Sequence, residues 1–290
     1  MTPMLTFKRL NECRLDEAVQ IWNESFAGYF FDMTMTVDAF ISRLVLEELS
    51  SSLSFVAYQD DRPAGILLNG IRSIQGNKVA WNGGTGVIEA FRGTGVSRAL
   101  VEHALLMYRE QSVQLATLEA IGENEKANRL YKGQGYETVD RIVYWSHGDV
   151  LSSLSEADGA TYAYEHGAPQ DVSEYAFLIP WQSQWANFRR DGETVLVRED
   201  GRAIAYALFK RTVDADGRNN GVTVGQVRVL EERGDRDQLI RFLLAKTLRP
   251  ERTSYKRTVP ALASDVHLVR ALRQLGFKQT LSQVWMTRSM

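Results

Sequence analysis

The sequence repeats itself at an almost constant spacing. "SFVAYQDDRPAGILL" at 54–68 has a counterpart in "TVLVREDGRAIAYAL" at 194–208, an offset of 140. Arg92-Gly93 in "VIEAFRG" matches Arg233-Gly234 in "VLEERG", and Gly135-Tyr136 matches Gly276-Phe277, both at an offset of 141. Three separate landmarks at nearly one offset read as two copies of one domain of about 140 residues, an ordinary domain size. The 290 residues hold two such copies and a connection. The expected limits are 1–147 for the first, 148–159 for the linker and 160–290 for the second. The linker falls in the polar, small-residue stretch "SHGDVLSSLSEADG" at 146–159.

Periodicity sets the elements of the first copy. "MLTFKRL" alternates as a strand. "RLDEAVQIWNESFAGYF" and "TVDAFISRLVLEEL" space their apolar residues as helices, the second started by Thr36. "LSFVAYQDDRPAGILLNGIRSI" reads as two strands around a turn at Asp60-Asp61-Arg62-Pro63. A glycine-bearing strand, "KVAWNGGTGVIEAF", leads into a helix with apolar or packing positions at Val96, Ala99, Leu100, His103, Ala104 and Met107. "VQLATLEAI" is a strand, "NEKANRLYKGQG" a helix and "YETVDRIVYW" a last strand. The expected order is β-α-α-β-β-β-α-β-α-β, an α/β (α+β) domain.

Composition removes several classes of function. A net charge of -2 with mixed signs leaves no footprint for nucleic acid or an anionic membrane. The single cysteine, Cys13, permits no intrachain disulfide. His103, His147, His166 and His267 are scattered without metal-ligand spacing, so no metal is expected. The N-terminal residues lack a signal-peptide core, and no apolar run approaches the roughly 18 residues of a membrane span. The expectation is a soluble, cytoplasmic protein.

The chemistry is written in "EAFRGTGVSRALVEHALLMY", 89–108. Glycine at a helix start costs backbone entropy and adds no packing, so it points to a close approach by a ligand. A strand, a glycine-rich turn and a helix together make an anion site of free amides and the positive helix end. Arg92 adds a fixed charge suited to phosphate. The dinucleotide fingerprint fails because Arg98 stands at its third glycine. The P-loop fails because no Gly-Lys-Ser/Thr follows. The pattern R-x-x-G-x-small, at Arg92, Gly95 and Ser97, resembles the acetyl-CoA diphosphate loop of the GNAT acetyltransferases. Ser97 departs mildly from the usual Gly or Ala. "LEAIGENEKANRLYKGQGYE", 118–137, resembles the second signature of that family through Leu118, Glu119, Asn124, Ala127, Leu130, Tyr131, Gly135 and Tyr136.

The resemblance implies two GNAT-like domains, each a mixed, largely antiparallel sheet flanked by helices. It implies an N-acetyltransferase, an acyltransferase whose co-substrate is acetyl-CoA and whose acceptor is a primary amine of a small molecule or peptide. The amides of Arg92, Gly93, Thr94, Gly95, Val96 and Ser97 would hold the diphosphate. Val87 and Ile88 would line the pantetheine arm, with an amide toward the thioester oxygen. Asn124 would cap its helix and touch the cofactor, with Asn128 beside it. Tyr131 would protonate the departing thiolate. Glu119 stands where ribosomal-protein alanine acetyltransferases carry their base; the alternatives are a water chain and a merely positioning role. Glu89, in a solvent-facing turn, is a weaker choice. "SFAGYFFDMTM", 25–35, offers an aromatic acceptor wall from Phe26, Tyr29 and Phe30. A non-catalytic acyl-CoA sensor is the other class of reading, but it needs neither Tyr131 nor Glu119.

The second copy loses this set. Gly95 becomes Arg236, Ser97 becomes Gln238, Tyr131 becomes Leu272, Glu119 becomes Pro260 and Asn124 becomes Asp265. Asp235 is placed to cap the helix and repel phosphate. The expectation is a tandem protein with one intact copy and one degenerate copy. The acceptor, the acyl length and the oligomeric state are not legible.

Overall fold

The computed structural model describes residues 5–154, 162–175, 178–214 and 216–290. Linker positions 155–159 and the first two residues of the expected second domain lie outside the described residues. The chain divides into two compact units. The first holds the described residues up to Ala120, with Asn124–Thr138 and Met286–Met290; the second holds Ile121–Glu123 and Val139–Trp285. Among the described residues no helix is long and apolar enough to cross a membrane.

The first unit contains β1 (Leu5–Arg9), α1 (Leu15–Ser25), α2 (Val37–Leu46), β2 (Phe55–Gln59), β3 (Arg62–Ile74), β4 (Asn77–Val87), α3 (Val96–Glu110), β5 (Leu115–Ile121) and α4 (Glu125–Gly133). Its strand order is β1-β2-β3-β4-β5. Neighbours are antiparallel up to β4, and β4 and β5 are parallel, as a helical crossover through α3 requires. Asp60 and Asp61, both at positive φ, close the β2–β3 hairpin in two residues, so Arg62 and Pro63 belong to β3. Thr36 caps α2 by accepting from the Ala39 amide at 3.2 Å. The first helix stops at Ser25, shorter than its apolar spacing suggests, and leaves the aromatic residues 26–31 in the following turn. Trp22, Phe40, Phe55, Ile66, Leu67, Leu68 and Tyr108 fill the core. Buried Asn69 is held by the Ser54 hydroxyl, the Leu53 carbonyl and the Tyr108 hydroxyl, so its amide is satisfied where water cannot reach.

The second unit contains β6 (Glu137–His147, from Val139), β7 (Ala163–Gly167), β8 (Gly192–Glu199), β9 (Arg202–Val213), β10 (Asn219–Val229), α5 (Arg236–Leu248), β11 (Lys256–Leu262), α6 (Val266–Gln274) and β12 (Lys278–Ser289, up to Trp285). Its strand order is β12-β6-β11-β10-β9-β8-β7. The sequence copies meet near residue 147, whereas the compact units part between Thr138 and Val139. The cause is β6, which pairs antiparallel with β11 from Ile142↔Leu262 to His147↔Arg257. Short 3-10 turns at Pro169–Tyr175, Trp181–Ser183 and Trp185–Asn187 stand where the first copy has α1 and α2. The helix α5 is apolar on most sides and is buried accordingly. Fully buried Arg257 donates to the carbonyls of Leu248, Arg249, Arg252, Tyr255 and Asp149, which serves the unsatisfied carbonyl end of α5.

Candidate active site

A fork between β4 and β5 organises the site. Their parallel ladder runs from Val79↔Leu115 to Asn82↔Leu118 and stops there. At the same point β4 carries a bulge: Asn82 pairs with Asn69 and Gly84 with Leu68, so Gly83 is the extra residue. A bulge bends its strand and ends local pairing. The Asn82 side chain fixes the bend, accepting from the Gly84 amide at 3.1 Å and donating to Thr85 Oγ1 at 2.8 Å. Gly86 allows α1 to lie directly on the departing strand, since a Cβ there would meet Ser25 Cβ and Phe26 Cε2 at 2.7 Å.

Backbone alternation decides which amide faces the fork. Ile88 gives its amide to the Ala64 carbonyl at 3.0 Å. Its neighbour Val87, opposite Gly65, therefore turns its amide and carbonyl away from β3, to the side β5 has left. The Val87 amide thus faces the fork and the Ile88 amide does not.

Both chemical groups named from the sequence gather at the fork. Glu119 is the first residue of β5 past the last ladder pair. It is half-buried, and the Trp81 indole donates to its Oε2 at 2.5 Å. Tyr131, on α4, is buried, with the side chains of Thr85 and Asn82 beside its phenol. Trp81 and Asn82 are consecutive, so Glu119 and Tyr131 reach neighbouring positions of β4 at the point where the strands separate. Burial pushes the Tyr131 phenol up to about 12, with a further push from Tyr29, against the opposing effect of Thr85 and Asn82. Tyr136 packs edge-on against the Tyr131 ring at 6.0 Å. Asn124 caps α4 by accepting from the Ala127 amide at 3.2 Å and lies beside the phenol of Tyr29, which burial pushes up against the opposing effect of Asn124. Asn128 is one turn further along, and Glu89 is exposed in a 3-10 turn.

The glycine loop is open. Gly93 and Gly95 have φ of +82° and +98°, which only glycine adopts at little cost, and a Cβ on either would meet nothing within 4 Å. Gly95 is the N-cap of α3 and no side chain caps the helix. Its first amides, at Val96 and Ser97, have no partner one turn back. Other groups around the loop already have internal partners. The Arg92 amide is bonded to the Glu89 carbonyl at 3.1 Å and the Thr94 amide to the Phe91 carbonyl at 3.4 Å. The Arg92 guanidinium donates to the carbonyls of Val87 (3.1 Å), Ser25 (3.4 Å) and Ala27 (2.8 Å). Phe26 is buried against Trp22, with ring centroids 4.2 Å apart, and forms a floor rather than a wall. Tyr29 stacks edge-on with Phe26, Phe30 and Phe31, and Phe30 remains 56% exposed.

Sequence reasoning missed Trp81, Asn82 and Thr85. The only local signal was the run "WNGG", a polar residue before two glycines inside a strand, which is a bulge signature.

The second unit keeps the fork without the chemistry. Its β10–β11 ladder covers Gly221–Thr223 against Lys256–Thr258, and Gly225 is the bulge residue. The small cleft beyond is lined by Gln226, Pro260, Asp265 and Leu268 together with Ile179, Pro180 and Ser183. Gln226 is buried and donates to the Ser183 carbonyl at 2.7 Å, tying that segment across the fork. Asp265 caps α6 as Asn124 caps α4. Asp235 sits at the N-cap of α5 but makes no side-chain cap bond, contrary to the capping expectation. Its carboxylate is drawn to Arg233 at 2.8 Å and to the Tyr162 hydroxyl at 3.0 Å, and Arg233 also holds Glu199 and Glu231.

The model of the acetyltransferase (GNAT) family matches residues 12–136. No curated protein matches the sequence significantly. Among solved structures, a GCN5-related N-acetyltransferase from Anabaena variabilis is similar over 99% of this chain and 73% of its own, at 17% identity and a TM-score of 0.65. A glucosamine N-acetyltransferase region of a fungal multi-domain GH3 β-N-acetylglucosaminidase matches 98% of this chain and 38% of its own, at 21% identity and 0.68. A tandem GNAT protein from the clavulanic acid biosynthesis pathway matches 99% of this chain and 98% of its own, at 14% identity and 0.63. At these identities the likeness is one of fold.

Proposed function

We propose, from the match of the acetyltransferase (GNAT) family model to residues 12–136, that this chain is an acetyl-CoA-dependent N-acetyltransferase that acylates a primary amine of a small molecule or peptide through its first unit. The observation that carries the reading is the convergence of Glu119 and Tyr131 on the β4–β5 fork, next to an uncapped helix start. The open space over Gly93 and Gly95 fits a diphosphate, and the amides of Gly93, Gly95, Val96 and Ser97 are the donors that would hold it, aided by the α3 dipole. The Val87 amide, turned into the fork, is the donor for an acyl oxygen that gains charge. When bound, acetyl-CoA supplies the acetyl group and a thiolate leaving group. Tyr131 holds a proton at its phenol oxygen and offers it toward the sulfur. Glu119, oriented by the Trp81 indole, accepts the ammonium proton directly or through a water. Tyr29, Phe30 and Phe31 form an apolar face for the acceptor.

The test is turnover of the full chain with acetyl-CoA against panels of small and peptide amines, reading released thiol. Thiol release matched by acetylated amine is the expected result. Failure of the chain to bind acetyl-CoA overturns the reading, and binding without turnover on any amine supports the sensor alternative.

A further inference from the structure

Arg92 opens the cofactor loop, but its side chain serves the opposite flank of the site. Its Nη2 donates to the carbonyl of Ser25, the last residue of α1, and to that of Ala27, while its Nε donates to the carbonyl of Val87 at the end of β4. Helix-end carbonyls lack intrahelical partners and carry the negative end of the dipole, so a guanidinium fork is well matched to them. The attachment lies where α1 already touches β4 most closely, at Gly86 against Ser25 and Phe26. One side chain thus joins three backbone points: the glycine loop, the strand end whose amide faces the fork, and the root of the aromatic segment with Tyr29, Phe30 and Phe31. Among the described residues the matching arginine of the second copy makes no such link. Arg233 is held by the carboxylates of Glu199, Glu231 and Asp235 instead.

We propose that Arg92 is a positioning residue that couples the cofactor loop to the acceptor segment, and not a diphosphate ligand. A diphosphate on the amides of Gly93, Gly95, Val96 and Ser97 orders the loop, the ordered loop fixes the Arg92 backbone, and Arg92 in turn holds residues 25–31 against β4. The acceptor face is completed when the cofactor is in place. This inference rests on the functional reading above.

The experiment uses the full chain, acetyl-CoA as the probe, calorimetry for affinity, and amide hydrogen exchange of residues 26–35. In the wild type, acetyl-CoA should slow exchange in that segment by roughly threefold or more. Arg92→Gln should bind acetyl-CoA within about threefold of wild type, lose the slowing at 26–35 and exchange faster there without ligand. Arg92→Lys, which keeps the charge but not the fork, should restore part of the protection. A loss of about tenfold or more in acetyl-CoA affinity in Arg92→Gln, with the exchange pattern kept, would make Arg92 a direct ligand and overturn the proposal. Wild-type binding with no change at 26–35 overturns the coupling alone. Absence of wild-type binding overturns the functional reading and the coupling with it.

Discussion

The Tyr131 phenol, wrapped by Asn82, Thr85 and Tyr136, is pushed by burial up to about 12. It is therefore neutral, with its proton in place, at every pH where the fold is expected to survive. A thiol near 8.5 is the stronger acid, so complete transfer from the resting phenol is uphill. In the proposed reaction Tyr131 would therefore act first as a hydrogen-bond donor to the sulfur as charge develops there. Tyr131→Phe should lower kcat by about 100-fold, near the low end for such groups, and leave acetyl-CoA affinity within a few fold. Steady-state rates and calorimetry check this, and an unchanged kcat would remove Tyr131 from the chemistry. Glu119 has a separate test through its partner. Trp81→Phe keeps the ring and deletes the donor that favours the carboxylate, so the acid limb of kcat/KM should move to higher pH. Glu119→Gln should abolish that limb and lose activity near neutrality by about 10²-fold or more. A profile unchanged in both variants leaves Glu119 with a positioning role.

Among the elements, the hairpin turn and the third helix carry the clearest consequences. Asp60-Asp61 and Asp200-Gly201 are the same two-residue turn, with positive φ at each position. The first copy places an aspartate where the second has the glycine that this geometry favours. Asp61→Gly should stabilise the chain by about 0.5–1 kcal/mol, and a melting temperature that falls instead would contradict the turn assignment. On α3, His103 stacks on Phe7 at 4.2 Å and meets Phe55 edge-on. Burial first, then Arg9, lower its pKa, against an opposing effect of Glu110. The folded state thus prefers neutral imidazole, while the unfolded state takes up a proton below about 6.5. The stability this neutrality supplies is present above that value and is lost as pH falls toward the lowered folded pKa. His103→Phe should flatten the decline of the urea midpoint between about pH 7.5 and pH 5, and an equal decline in wild type and variant would show that His103 does not set it.

For the whole molecule, the contrast between the two glycine loops predicts about one acetyl-CoA per chain. The first loop offers uncapped amides and open space. The second places Arg233 among three carboxylates and has Leu272 and Pro260 in place of the phenol and the base. Calorimetry of the full chain should return a stoichiometry near one, and two equivalent sites would refute the assignment. Much of this was readable beforehand because the repeat displays each landmark twice. The turn at 60–61, the caps at Thr36 and Asn124 and the loop at 92–97 are all specified by neighbouring residues. The roles of Phe26 and Arg92 were not readable in this way, since each depends on which distant backbone lies beside it.

What the sequence determined by itself is the repeat, the order of elements in the first copy, and the residue types at the loop and on α4. Those features follow from periodicity and from backbone angles that a few adjacent residues must adopt. Only the tertiary structure brought Trp81 to Glu119 and Asn82 and Thr85 to Tyr131 where β4 and β5 separate, and counted β6 with the second unit. It alone gave Arg92 partners 65 and 67 positions away. Such pairings are settled by hydrogen bonds and close packing between segments far apart in the chain, and no local pattern records which segment will arrive.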